Sequence, residues 1–105
     1  MDEYGRTPLW NFAFAGNLDA VRKDLDSGAN PNQGDDNGLT PLHIAIQEKH
    51  FEVIKHLLER KADPNQKDKH GNVPLWTAVH KWDRTNQIIL LLLSFKADAH
   101  IENNF

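Results

Sequence analysis

A turn-and-helix-start motif that returns at one fixed interval constrains this chain more than any other feature. It reads Gly5-Arg6-Thr7-Pro8-Leu9-Trp10, then Gly38-Leu39-Thr40-Pro41-Leu42-His43, then Gly71-Asn72-Val73-Pro74-Leu75-Trp76. The interval from Thr7 to Thr40 equals that from Thr40 to Val73. A fixed period of this size marks supersecondary units that bury their apolar faces by stacking on one another. The motif has its own physical logic. Glycine suits a tight turn with positive φ. The threonine hydroxyl accepts from an otherwise unpaired amide three residues on, and proline at the first helical position loses no hydrogen bond. Leu42 and Ala45, three apart, then share one helix face.

Between the motifs, each unit holds two short amphipathic segments. In the first, Pro8 to Ala15 carries Leu9, Phe12 and Ala13 inward, and Gly16-Asn17 breaks it. Leu18 to Ser27 follows with Leu18, Val21 and Leu25 on one face, and Gly28 supplies a left-handed helix end. In the second unit the segments are Pro41 to Glu48 and Phe51 to Arg60. Lys61 stands where Gly28 stood, so a left-handed lysine is expected there at a cost on the order of 1 kcal/mol. The third unit has two extra residues in the turn Lys81-Trp82-Asp83-Arg84-Thr85-Asn86, and its second helix, about Gln87 to Phe95, contains Ile88-Ile89-Leu90-Leu91-Leu92-Leu93. That helix is apolar all round, which calls for burial on more than one side. Val73 cannot cap, so the helix after it should start less firmly, by about 1 kcal/mol.

The three units resemble ankyrin repeats, on the strength of the Thr-Pro-Leu triplets, the Ala-Asp-Pro-Asn exit at Ala62 and the Asp-x-x-Gly tips. The resemblance covers essentially the whole chain, as one domain of residues 1–105 with repeats at about 2–34, 35–67 and 68–105. It implies an all-α solenoid of helix-turn-helix units with projecting β-turn fingers. It further implies a non-catalytic module that binds another protein through its finger tips and the concave face of its first helices, as a scaffold or inhibitor. Small stand-alone chains of this kind also resemble bacterial immunity proteins, which neutralise a toxin by covering its active site. The chain departs from the family pattern at Trp10 and Trp76, which replace the motif histidine, at Val73, and in the insertion after Val79.

Composition closes off several other functions. With no cysteine there is no disulfide, no thiol catalysis and no cysteine-bound zinc. The six histidines include no i, i+4 pair and no His-Glu-x-x-His pattern. A calcium loop started at Asp63 would reach Pro74 where its bidentate glutamate belongs. The serines Ser27 and Ser94 lie in no nucleophile elbow. No cofactor or metal is expected. The longest apolar run, Ile88 to Leu93, is too short for a bilayer, and the start has no apolar signal segment, so a cytoplasmic setting is expected. A net charge of −3 gives no general attraction to nucleic acid. Nucleic-acid binding, the rival reading, would need a continuous basic stripe.

Register places the candidate contact residues. Tyr4, Asn37 and His70 share the finger-tip position; Phe14, Gln47 and His80 share a concave position. The first two tips are acidic through Asp2 and Glu3, then Asp35 and Asp36, and the third is basic through Lys67, Lys69 and His70. Lys81, Trp82 and Arg84 sit in or beside the inserted turn. These residues predict a protein partner of complementary, bipolar charge. The leucine-rich last helix adds a second expectation, that the C-terminal face packs on a further repeat or another chain.

Overall fold

The computed structural model describes residues 3–81 and 86–95. Six helices follow one another: α1 Pro8–Ala15, α2 Leu18–Asp26, α3 Pro41–Gln47, α4 Phe51–Glu59, α5 Pro74–Lys81 and α6 Asn86–Ser94. No strand occurs among the described residues. The expected all-α fold is what forms, with helix ends within a residue of those read from the sequence. Helices α1, α3 and α5 pack side by side as an inner layer, and α2, α4 and α6 as an outer layer, each hairpin closing on itself.

The helix starts follow from the motif. Thr7 Oγ1 accepts from the Trp10 amide at 3.1 Å, and Thr40 Oγ1 from the His43 amide at 3.3 Å. In the second unit the cap is reciprocal, because the Thr40 amide donates to His43 Nδ1 at 3.1 Å. At Val73 no hydroxyl is available. The Trp76 amide donates to the Val73 carbonyl at 2.9 Å, and the valine side chain is buried instead.

Stacking sets the side-chain sizes. Ala45 and Ala78 are fully buried in the inner layer, where bulk would hold neighbouring helices apart. Phe12 holds the same position in the first unit and is only partly buried against the core. The outer layer is closed by Val21 and Leu25, then Val53, Ile54, Leu57 and Leu58, then Ile88 and Leu92. Two lysines take left-handed backbone, Lys61 at φ 73° as expected and Lys49 at φ 63°. Lys49 holds the place in its unit that Gly16 holds in the first, so the same register argument covers it.

The exit loops are tied together by amides. Asn32 Oδ1 accepts from the Asp63 amide at 2.6 Å, and Gln66 Nε2 donates to the Asn32 carbonyl at 2.9 Å. Arg60 on the second hairpin pairs with Asp26 of α2 at 2.6 Å. Both side chains are well exposed, so this pair contributes at most about 1 kcal/mol.

Candidate partner-binding surface

The second and third fingers are each built by one aspartate. The Asp35 amide donates to the Leu39 carbonyl at 3.0 Å, and the Gly38 amide to the Asp35 carbonyl at 2.9 Å, which closes the turn. Asp35 Oδ1 then accepts from the amides of Asn37 at 2.8 Å and Leu39 at 3.0 Å. Asp68 repeats every bond, with Oδ1 accepting from His70 at 2.8 Å and Asn72 at 3.0 Å. Asp35 is therefore engaged first in shaping the finger. Asp36, Asn37, Lys69 and His70 are the exposed members of these tips.

Neighbouring tips are sewn edge to edge. The Asp36 amide donates to the Tyr4 carbonyl at 3.0 Å, and the Lys69 amide to the Asn37 carbonyl at 2.9 Å. Gly38, at φ 75°, makes this approach possible. A Cβ there would lie 3.0 Å from the Asp68 Cα and the Lys69 nitrogen, so the next finger would have to move away. The result is one continuous edge whose charge changes from acidic to basic along its length.

The first unit adds an aromatic ladder to that edge. The Arg6 guanidinium lies 4.7 Å from the Tyr4 ring centroid and 5.3 Å from that of Trp10. Trp10 stacks on Phe14, one helical turn further, with centroids 5.7 Å apart and planes 7° from parallel. Such a pair contributes about 0.5–1.5 kcal/mol, and an exposed cation over a ring about 0.5–1 kcal/mol. Tyr4 and Phe14, at the two ends, are 57% and 46% exposed. The ladder thus fixes two large aromatics in solvent. The Phe14 carbonyl accepts from His50 Nε2 at 3.0 Å, which anchors the end of α1 to the second unit.

Tyr4, Asp36, Asn37, Lys69 and His70 come together along the finger edge. Phe14 and the half-buried Gln47 lie at equivalent places on α1 and α3, and Gln47 Nε2 reaches Glu48 Oε2 at 3.5 Å. His80 and Lys81 occupy the last turn of α5, but their side chains lie outside the described residues, as do Trp82 and Arg84 altogether. Register did not point to Arg6, which has no counterpart role in the other units. The available signal was its spacing, two residues after Tyr4 and four before Trp10.

His43 is structural. Its ring is buried, Nδ1 accepts from Thr40, and Nε2–H donates to the Asn72 carbonyl of the next finger at 3.1 Å. Burial holds its pKa below the ordinary histidine value, against the opposing pull of the Asn72 bond and of Asp68 and Asp35. His56 is also lowered, by burial first and then by Arg22 and Arg60. No group of three or more histidine, aspartate or glutamate side chains among the described residues could hold a metal ion. No described helix is long and apolar enough to cross a membrane.

Comparison with known proteins agrees with this geometry. A family model of ankyrin repeats in three copies matches residues 1–68 and 25–104. Over 38 residues, 36% of this chain, the sequence is 50% identical to an ankyrin repeat-containing protein of Schizosaccharomyces pombe. It is 45% identical over 47 residues, 45% of the chain, to the human transient receptor potential cation channel subfamily A member 1. It is 50% identical over 42 residues, 40% of the chain, to human neurogenic locus notch homolog protein 4. These stretches amount to 18%, 4% and 2% of the respective relatives, so the chain spans less than a fifth of each. Ankyrin repeats are typically non-catalytic and generally act as protein–protein interaction modules. The period, the hairpin stack and the family match converge: this chain belongs to the ankyrin-repeat family.

Proposed function

We propose that the chain is a non-catalytic binding module whose partner protein lies along the sewn finger edge and the exposed end of α1. One observation carries the reading: the Tyr4–Arg6–Trp10–Phe14 ladder holds two large aromatics in solvent. Preorganised aromatics are the residues that dominate binding energy at protein interfaces. The charge change along the fingers supplies orientation. A basic region of the partner would meet Glu3 and Asp36, and an acidic region Lys67 and Lys69. A partner seated this way has whatever it presents to the edge covered, which serves scaffolding or, where that part is an active site, inhibition of the kind an immunity protein exerts. The setting we assign is the cytoplasm.

The test is calorimetric titration of the partner, once isolated on the immobilised chain, against two double variants. Tyr4→Ala with Phe14→Ala, and Lys69→Glu with His70→Glu, are each expected to weaken binding at least tenfold. The melt of the Lys69/His70 variant should move little, because those side chains are exposed. The Tyr4/Phe14 variant also loses the stack on Trp10 and the contact with Arg6, so its affinity is read at a temperature where its melt shows it fully folded. Unchanged affinity in both variants would place the interface elsewhere and refute the reading.

A further inference from the structure

The outer helices align position by position, α4 with α2 at the interval of the repeat, and α6 with α4 once the insertion before α6 is allowed for. Val21, Ile54 and Ile89 are equivalent, and so are Leu25, Leu58 and Leu93. In α2 and α4, each followed by another outer helix, these residues are buried. In α6, Ile89 is half-buried and Leu93 is 41% exposed. Leu90 differs in kind. Its equivalents are Arg22 and Lys55, exposed charges on the solvated outer side of the stack, and Leu90 itself is 64% exposed. A further unit stacked in register would cover Ile89 and Leu93 and leave Leu90 in water. The apolar surface of α6 therefore turns the corner from the stacking face onto the outer side.

We propose that two copies of the chain meet on this surface, α6 against α6 about a two-fold axis, with Leu90 and Leu93 at its centre. Two observations select this occupant. The first is charge: α6 contains no charged residue, whereas α2 carries Asp19, Arg22, Lys23, Asp24 and Asp26, and α4 carries Glu52, Lys55 and Glu59. A two-fold contact places each residue near its own copy or a close neighbour, so a charge-free helix is the one that meets itself without repulsion. The second is the opposite end of the stack. Where α4 presents Val53 and Leu57 to the preceding unit, and α6 presents Ile88 and Leu92, α2 has Ala20 and Asp24. Head-to-tail stacking of copies would press the Asp24 carboxylate against Leu93, burying a charge with no partner. The leading face thus rejects a second copy, and the trailing face accepts one.

Sedimentation equilibrium of the 105-residue chain, from micromolar concentration to about 1 mM, tests the contact. The expected mass rises from the 12.0 kDa of the single chain to twice that value and no further. Leu90→Lys and Leu93→Lys should each weaken the dimer at least tenfold. The melting temperature of Leu90→Lys in dilute solution should match the parent, because Leu90 is exposed in the single chain. Asp24→Asn should leave the dimer unchanged. A monomer across the whole range overturns the proposal. So does growth beyond the dimer, or association that responds to Leu93→Lys and ignores Leu90→Lys, since the latter marks end-on stacking of units.

Discussion

Acid should loosen this stack at its centre, and the reason lies in one nitrogen. His43 Nδ1 accepts from the Thr40 amide, while Nε2–H donates to the Asn72 carbonyl. A proton on Nδ1 would set two donors against each other at the helix cap. Burial of the ring opposes that proton as well, and His43 titrates below its ordinary value. The unfolded chain takes up the proton near pH 6.5, and the folded chain resists until lower pH. The stabilisation is thus complete above the unfolded pKa and is lost as pH falls toward the folded one. With the unfolded chain protonated and the folded chain not, stability falls by about 1.4 kcal/mol per pH unit. Across the curved start of the titration, from pH 6.5 to 5.5, the loss is at most about 1 kcal/mol. At a urea slope of about 2 kcal/mol/M this is a midpoint shift of up to about 0.5 M. The comparison is His43→Gln, which keeps an acceptor for the Thr40 amide in the manner of a capping box but does not titrate. Subtracting its urea midpoints from those of the parent between pH 7.5 and 5.5 removes the carboxylates and His56 from the result. Parent and His43→Gln losing stability in parallel over that window would refute the assignment.

Three further outcomes rest on the same geometry. Lys61→Gly should raise stability by up to about 1 kcal/mol, because Lys61 holds φ 73° where Gly28 stands in the preceding unit; a lowered melting temperature would contradict this. Ala45→Leu should cost about 1–3 kcal/mol by overpacking α3 against its inner-layer neighbours, and a melt within a degree of the parent would show the register to be wrong. Thr40→Val should cost about 1 kcal/mol through the lost cap. Val73→Thr should return less than that, because the Trp76 amide already has the Val73 carbonyl at 2.9 Å; urea midpoints for the pair measure both.

The legible part of this fold was its repetition. Thr40, Pro41 and Gly38 specify turn and helix start through local chemistry alone, so their positions, and the left-handed Lys61, follow from the sequence. The exposure of Phe14 was legible for the same reason, through its alignment with Gln47. What register could not show was contact between residues with different roles in different units. Arg6 between two rings, His50 on the Phe14 carbonyl and Arg60 on Asp26 depend on side-chain reach in three dimensions, and none repeats in the neighbouring unit. The part Asp35 plays in its own turn was not legible for a related reason. Its charge suggested a contact residue, and the structure adds that its Oδ1 accepts from two backbone amides of its own turn.

The substitution of tryptophan for histidine in the first unit links these two kinds of information. In the second unit His43 uses both ring nitrogens internally, one on its cap and one on the next finger. Trp10 offers no acceptor for the cap, and its single donor makes no such bond to the next finger. Its Nε1 is buried with no hydrogen-bond partner among the described residues, a loss on the order of 1–3 kcal/mol. Stability alone would not select this exchange. In return, the large ring gives Arg6 one face and Phe14 a stacking partner, and it is this platform that keeps Tyr4 and Phe14 ordered in solvent. A position that joins repeats through hydrogen bonds in one unit thereby holds an aromatic platform in another, and it is on this platform that the proposed recognition rests.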